Sequence, residues 1–135
     1  MNNYLRHILL PAVVGAVIFV GTCLINPNDV PNMPQGIQWD KIVHFGMFFV
    51  LSAVSLFDYY RLHNGKPRLL RWILWGFVVP VMYGAIIELM QKYIFQSRSA
   101  ELADFIADVL GSLTALLIAL FLYKKVRKPE KNLSL

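Results

Sequence analysis

The chain has 135 residues, of which 57% are hydrophobic and 16% are charged, and its mean hydropathy is +0.53. This composition is too apolar for an ordinary soluble domain and indicates a small all-α membrane protein. The net charge of +5 does not indicate nucleic-acid binding, because the basic residues lie beside apolar runs, where membrane topology accounts for them. The single cysteine, Cys23, excludes an intrachain disulfide within this sequence.

The first predicted span covers residues 8–25, an apolar run of about the length that crosses a bilayer. It also resembles the core of a signal peptide, but no small-x-small cleavage pattern follows it, which favours a retained helix. Residues 26–38 carry three prolines among Asn, Asp and Gly and are predicted to form a loop.

The remaining apolar runs predict three further spans, at residues 41–60, 72–91 and 102–123. Within the third span, Gly76 and Gly84 permit close contact with a neighbouring helix, and Pro80 predicts a kink. We therefore expect one four-helix membrane bundle over residues 1–123, followed by a basic tail over 124–135.

The distribution of Lys and Arg predicts the orientation of these spans. Ten of the thirteen lie near the N-terminus, in the loop over residues 61–71 or in the C-terminal tail, and three lie on the opposite side. By the positive-inside rule, both termini are predicted to be cytoplasmic. On this topology Asp58 and Arg61 belong to the cytoplasmic interface.

Polar side chains occur about one helical turn inside the outer end of three spans. Counting about 20 residues per span from the cytoplasmic ends places His44, Glu88 and Asp108 at this depth. Helical spacing adds further polar or small residues to the same three faces, namely Asp40, Gly84, Gln91, Glu101, Asp104, Gly111 and Ser112. The convergence predicts a single polar pocket that faces outward.

The spacing of these residues resembles that of the VanZ-like membrane proteins. The resemblance covers about residues 39–120 and rests on three short motifs: Asp40-Lys41-x-x-His44-Phe45-x-x-Phe48, then Glu88-x-x-Gln91, then Arg98 followed by Asp104, Asp108 and Gly111. Asp108 departs from the family pattern, in which Asn is common. The resemblance implies a multi-pass protein of the bacterial plasma membrane and cell envelope, in a family named for a member linked to teicoplanin resistance. It does not imply a particular reaction.

One functional hypothesis is that the pocket binds or processes an anionic envelope molecule, such as a lipid-linked phosphate or a cell-wall precursor. Lys41 and Arg98 are predicted to hold the phosphate, with Arg offering a bidentate fork. His44 and Glu88 are the predicted catalytic pair for proton transfer. The other predicted substrate-binding residues are Asp40, Gln91, Asp104 and Asp108.

The four acids Glu88, Glu101, Asp104 and Asp108 would repel an anion unless they are protonated or paired. A divalent cation that bridges carboxylates and phosphate would remove this repulsion. His44 with three acids also suits a transition metal, and the spacing does not select one metal.

Two other classes of function stay open at the level of sequence. In the first class, the polar residues form a structural network in a protein that binds a membrane partner. Arg98 is then paired with Glu88 or Asp104, and His44 is bonded to a carboxylate. The second is transport or proton relay, which the scarcity of ionisable residues in the cytoplasmic halves of the spans disfavours. The sequence leaves the oligomeric state open.

Overall fold

A computed structural model describes residues 3–24, 39–95 and 102–133, and this part of the chain contains helices and no strand. The helices are α1 (Asn3–Phe19), α2 (Trp39–Leu62), α3 (Leu69–Ile73), α4 (Val79–Tyr93) and α5 (Leu102–Leu133). A π-helical turn, Val20–Leu24, extends α1, and a second one, Leu74–Val78, joins α3 to α4. The predicted all-α class is confirmed.

Three helical segments are long and apolar enough to cross a membrane. They are Trp39–Leu62, Leu69–Tyr93 and Leu102–Val126, with mean hydropathies of 1.6, 1.9 and 2.3. The apolar part of the first helix, Ile8–Leu24, is shorter. The chain is therefore a membrane protein by the length and apolar character of its helices.

The segments between and after the spans differ in detail from the prediction. The predicted loop over 61–71 is shorter, because α2 continues to Leu62 and α3 begins at Leu69. Asn64 and Gly65 form its turn with φ values of 52° and 76°, a left-handed conformation that Gly adopts without strain. The predicted tail over 124–135 is not separated from the last span, since α5 continues to Leu133 and Lys and Arg are good helix formers. The predicted loop over 26–38 lies outside the described residues.

The irregularity in the third span lies just before Pro80. Pro80 has no backbone N–H to donate to the preceding turn, and the π-helical turn Leu74–Val78 precedes it. In this turn Gly76 packs directly against the side chain of Leu56, and Trp72 Nε1 donates a hydrogen bond to the Leu56 carbonyl at 2.9 Å. These contacts fix α3 and the π-helical turn against α2.

The helices α2 and α5 approach each other closely at Gly111. A Cβ atom at this position would collide with the backbone carbonyl oxygen of Phe45 and would lie 3.1 Å from the backbone nitrogen of Phe49. A small residue is therefore required where these two helices meet. Asp108 lies nearly one turn before Gly111 and His44 directly precedes Phe45, so this crossing brings the two polar residues together.

Candidate functional site

His44 and Asp108 form a hydrogen-bonded pair between α2 and α5. His44 Nδ1 lies 2.8 Å from Asp108 Oδ1. The two residues are 7% and 0% exposed, so the bond is shielded from solvent. Because the packing face of α2 continues through Phe48, which is 0% exposed, His44 is held on the buried side of its helix.

The second oxygen of Asp108 points toward α4. A Cβ atom at Gly84 would lie 3.1 Å from Asp108 Oδ2, which makes Gly84 the gap that accommodates this carboxylate. Asp108 Oδ2 is buried and has no hydrogen-bond partner within the described part of the chain. A buried polar oxygen in this state is unfavourable unless a ligand or water supplies a donor.

Asp104 and Lys41 lie closer than this pair to the first residues of α5 and α2. Lys41 Nζ is 2.9 Å from Asp104 Oδ1, and Asp104 Oδ2 is 3.9 Å from His44 Nε2. The Lys41 side chain is 22% exposed and the Asp104 side chain 8% exposed, so the ion pair borders the buried region. His44 therefore lies between two carboxylates of α5, one on each side of its ring.

Glu88 of α4 completes the group of ionisable residues. His44, Glu88 and Asp108 each offer one nitrogen or oxygen ligand atom, and these atoms all lie within 4.8 Å of one another. Both carboxylate oxygens of Glu88 are buried. We call Lys41, His44, Glu88, Asp104 and Asp108 the outer polar site, following the predicted topology.

This arrangement has the donor types of a cation site. One imidazole and two carboxylates suit zinc or another transition metal, whereas Mg²⁺ prefers oxygen ligands alone. One ring nitrogen of His44 is bonded to Asp108, and the other lies toward Asp104. Asp108 Oδ2, which is buried and has no hydrogen-bond partner among the described residues, is the oxygen that Asp108 could offer to such a cation.

The remaining predicted site residues have different positions. Asp40 is close to Lys41, with 3.7 Å between Oδ2 and Nζ, but its side chain is 62% exposed. Gln91 is 3% exposed and donates from Nε2 to the backbone carbonyl of Thr22 at 2.8 Å. It therefore connects α4 to the end of the first helix. Arg98 and Glu101, which the sequence also assigns to this site, lie outside the described residues.

Thr22 is the contact that the sequence reasoning missed. It is buried, and its hydroxyl donates to the Ile18 carbonyl at 2.7 Å within the same helix. The carbonyl of Thr22 lies in the π-helical turn Val20–Leu24 and accepts the hydrogen bond from Gln91. The available signal was a small polar residue inside an apolar run, at the outer end of the first predicted span.

Comparisons with family models, with curated proteins and with solved structures found no match to this chain. The resemblance to the VanZ-like proteins therefore stays a prediction.

Proposed function

We propose that this chain is a multi-pass protein of the bacterial plasma membrane whose outer polar site binds or processes an anionic lipid-linked phosphate or cell-wall precursor. All four predicted helices cross the membrane in this proposal, and both termini are cytoplasmic. The apolar part of the first helix, Ile8–Leu24, extends about 25 Å, so in this proposal its polar N-terminal residues lie at the membrane interface.

The observation that carries the proposal is the buried His44–Asp108 pair. When Nδ1 of His44 holds the proton, it donates to Asp108 Oδ1 and leaves Nε2 as an acceptor that faces outward, toward Asp104. A carboxylate that fixes the tautomer and orientation of an imidazole in this way is a common arrangement for a general base. His44 Nε2 is therefore positioned to take a proton from a hydroxyl group or water near Asp104.

Charge determines what else the site needs before it can hold a phosphate. Asp104, Asp108 and Glu88 surround His44, and Lys41 is already paired with Asp104. An incoming phosphate must compete for Lys41 or receive another cation. Arg98 and a divalent cation held by His44, Glu88 and Asp108 are the two sources of positive charge that fit the proposal.

The same geometry also supports a second candidate, a structural network in a protein that binds a membrane partner without catalysis. In the structure Lys41 is bound to Asp104, His44 to Asp108 and Gln91 to Thr22. Each of these contacts joins two helices. A role in glycopeptide resistance rests on the family resemblance and belongs to the first candidate.

Binding of farnesyl phosphate, a short polyprenyl phosphate, to the purified protein in detergent separates the two candidates. We expect saturable binding that farnesol does not reproduce. Lys41→Gln and His44→Gln should each weaken it about tenfold, the size expected for the loss of one charge-assisted hydrogen bond. Lys92→Gln is the matched control, because Lys92 is an exposed lysine near the outer end of α4.

Thermal unfolding and expression of the same variants complete the test. The phosphate-site proposal requires weakened binding in variants that unfold at about the wild-type temperature. If wild-type protein binds farnesyl phosphate and farnesol equally, or if the variants bind as wild type does, the proposal is wrong. Loss of stability in Lys41→Gln and His44→Gln without phosphate binding by wild type would favour the structural network.

A further inference from the structure

A cavity lies between α1, α2 and the segment from α3 to α4, away from the outer polar site. It has a volume of ≈ 570 Å³, which is within the usual range for small-molecule sites. Small residues of α1 form one wall, and aromatic side chains of the α3–α4 segment form another; among them are Ala12, Gly15, Ala16, Trp75 and Tyr83. We call this cavity the lateral groove.

Asp58 is the one charged side chain among the described residues that line the lateral groove. It is 8% exposed, and its Oδ2 atom is buried without a hydrogen-bond partner in the described part of the chain. The sequence placed Asp58 at the cytoplasmic interface, where water would solvate it, whereas the structure buries it beside an apolar cavity. A buried carboxylate oxygen in such surroundings is unfavourable unless a ligand or water donates to it.

Ser55, three residues before Asp58 on α2, offers a further acceptor to the groove. Ser55 lines the same cavity, and its hydroxyl donates to the Leu51 carbonyl at 2.8 Å. Its proton is thus used within α2, and its lone pairs remain for a ligand. An apolar wall with two acceptors at one place selects a ligand that has a long hydrocarbon part and a cationic donor at its end.

Basic residues lie near this end of α2 and α3 but outside the lining of the groove. Arg61 follows Asp58 by three residues on α2 and is exposed, and its guanidinium lies 5.6 Å from the centre of the Phe57 ring. Arg71 is exposed on α3, which packs against α2. The groove itself supplies a buried carboxylate and an apolar wall, which match the primary ammonium and the acyl chain of a phospholipid.

We propose that the lateral groove binds a membrane phospholipid with a primary ammonium headgroup, as in phosphatidylethanolamine. The ammonium donates to Asp58, and one acyl chain lies along the small residues of α1. This site is separate from the outer polar site, because Asp58 follows His44 by fourteen residues, or about 21 Å along α2. Its failure or success is independent of the phosphate-lipid proposal.

The test is lipid retention by the full chain, measured by native mass spectrometry. The protein is purified in a nonionic detergent and equilibrated with equal amounts of phosphatidylethanolamine and phosphatidylglycerol that have the same acyl chains. We expect retention of phosphatidylethanolamine to exceed that of phosphatidylglycerol by about tenfold, because only the former offers a charged N–H donor. Phosphatidylcholine, whose ammonium has no N–H group, should not show this preference.

Three variants assign the effect to the lateral groove. Asp58→Asn keeps the size of the side chain and should reduce the headgroup preference to about equal retention. Ala12→Leu fills the groove and should lower retention of both lipids, whereas Val13→Phe, on the exposed face of α1, should leave retention unchanged. Thermal unfolding of each variant shows whether it is folded.

The proposal is overturned if wild-type protein retains the two lipids equally or retains neither. A headgroup preference that persists in Asp58→Asn, or retention that Ala12→Leu does not change, also overturns it. If Asp58→Asn does not fold, the comparison of phosphatidylethanolamine with phosphatidylcholine on wild-type protein decides the question alone.

Discussion

Replacement of His44 by leucine should destabilise the protein mainly because it leaves the buried Asp108 without a partner. His44 is bonded to Asp108 Oδ1 at 2.8 Å, and Asp108 is 0% exposed. Leucine has a similar volume and keeps the apolar contacts of α2. The substitution therefore leaves a buried carboxylate without its cationic or hydrogen-bonding partner, while the packing changes little.

The expected size follows from the burial of this pair. Removing the partner of a buried carboxylate costs about 3–5 kcal/mol, because its charge is left uncompensated. A second substitution, Asp108→Asn, removes that charge and keeps the shape. The double variant His44→Leu/Asp108→Asn then leaves a neutral amide, for which the penalty is about 1–3 kcal/mol. We therefore expect the double variant to be about 2 kcal/mol more stable than His44→Leu alone.

Reversible unfolding of the purified protein in mixed detergent micelles, followed by circular dichroism, measures both free energies. Asp108→Asn alone closes the cycle and gives the coupling between the two positions. The reasoning is refuted if the double variant is no more stable than His44→Leu, because Asp108 would then not be held as a charged partner of His44.

Two further predictions concern the packing around the outer polar site. Gly111→Ala should lower the free energy of unfolding by about 1–3 kcal/mol, because the added Cβ collides with the backbone at Phe45. Gly46→Ala, which has no atom within 4 Å of the added Cβ, should be neutral or stabilising. Thermal unfolding compares the two variants, and equal effects would contradict the close contact of α2 and α5. Gln91→Leu should lower the free energy of unfolding by about 1 kcal/mol, because it removes the hydrogen bond from Gln91 to Thr22 that joins α4 to the first helix. Backbone amides near Thr22 should then exchange hydrogen faster. Unchanged exchange there would show that this bond does not hold the first helix in place.

The depth of the polar residues could be predicted from the sequence. Counting residues inward from the basic ends placed His44 and Asp108 at the same level, and the structure brings them within hydrogen-bond distance. This works because helical rise per residue is nearly constant, so a position along a helix follows from a count. The small residues Gly84 and Gly111 were likewise predicted as contact points, and both face a neighbouring helix at short range.

The choice of partner within the site could not be predicted in the same way. The sequence paired His44 with Glu88 for proton transfer, whereas the hydrogen bond of His44 in the structure goes to Asp108, and Glu88 is among the ligand atoms within 4.8 Å. The pairing depends on the rotation of each helix and on side-chain rotamers, which a count of residues does not determine.

The surroundings of two polar groups near helix ends could not be predicted from the sequence. Gln91 was predicted to lie in the polar pocket and Asp58 at the cytoplasmic interface; they are 3% and 8% exposed, and the first helix lies against both. The first helix covers Gln91 by accepting its hydrogen bond through Thr22, and it contributes to the cavity beside Asp58. The position of α1 in the bundle is a tertiary property that its apolar sequence does not specify.

Asp108 also departs from the Asn that is common in the VanZ-like pattern. An Asn side chain keeps an acceptor for the N–H of His44, so the orientation of the imidazole survives the change. The substitution removes the negative charge of Asp108, and it therefore removes one carboxylate ligand for a cation. If phosphate binding depends on a divalent cation in this chain, Asp108→Asn should remove the dependence on that cation while binding through Lys41 persists.

The most direct measurement of the central claim is the ¹⁵N resonance of His44 in protein labelled at histidine. The chain has three histidines, and His44→Gln identifies the signal of His44 by its disappearance. If the outer polar site binds a lipid-linked phosphate, farnesyl phosphate should shift the Nε2 resonance of His44 and leave that of His63 unchanged. A His44 signal that does not respond, or that responds equally to farnesol, would contradict the claim.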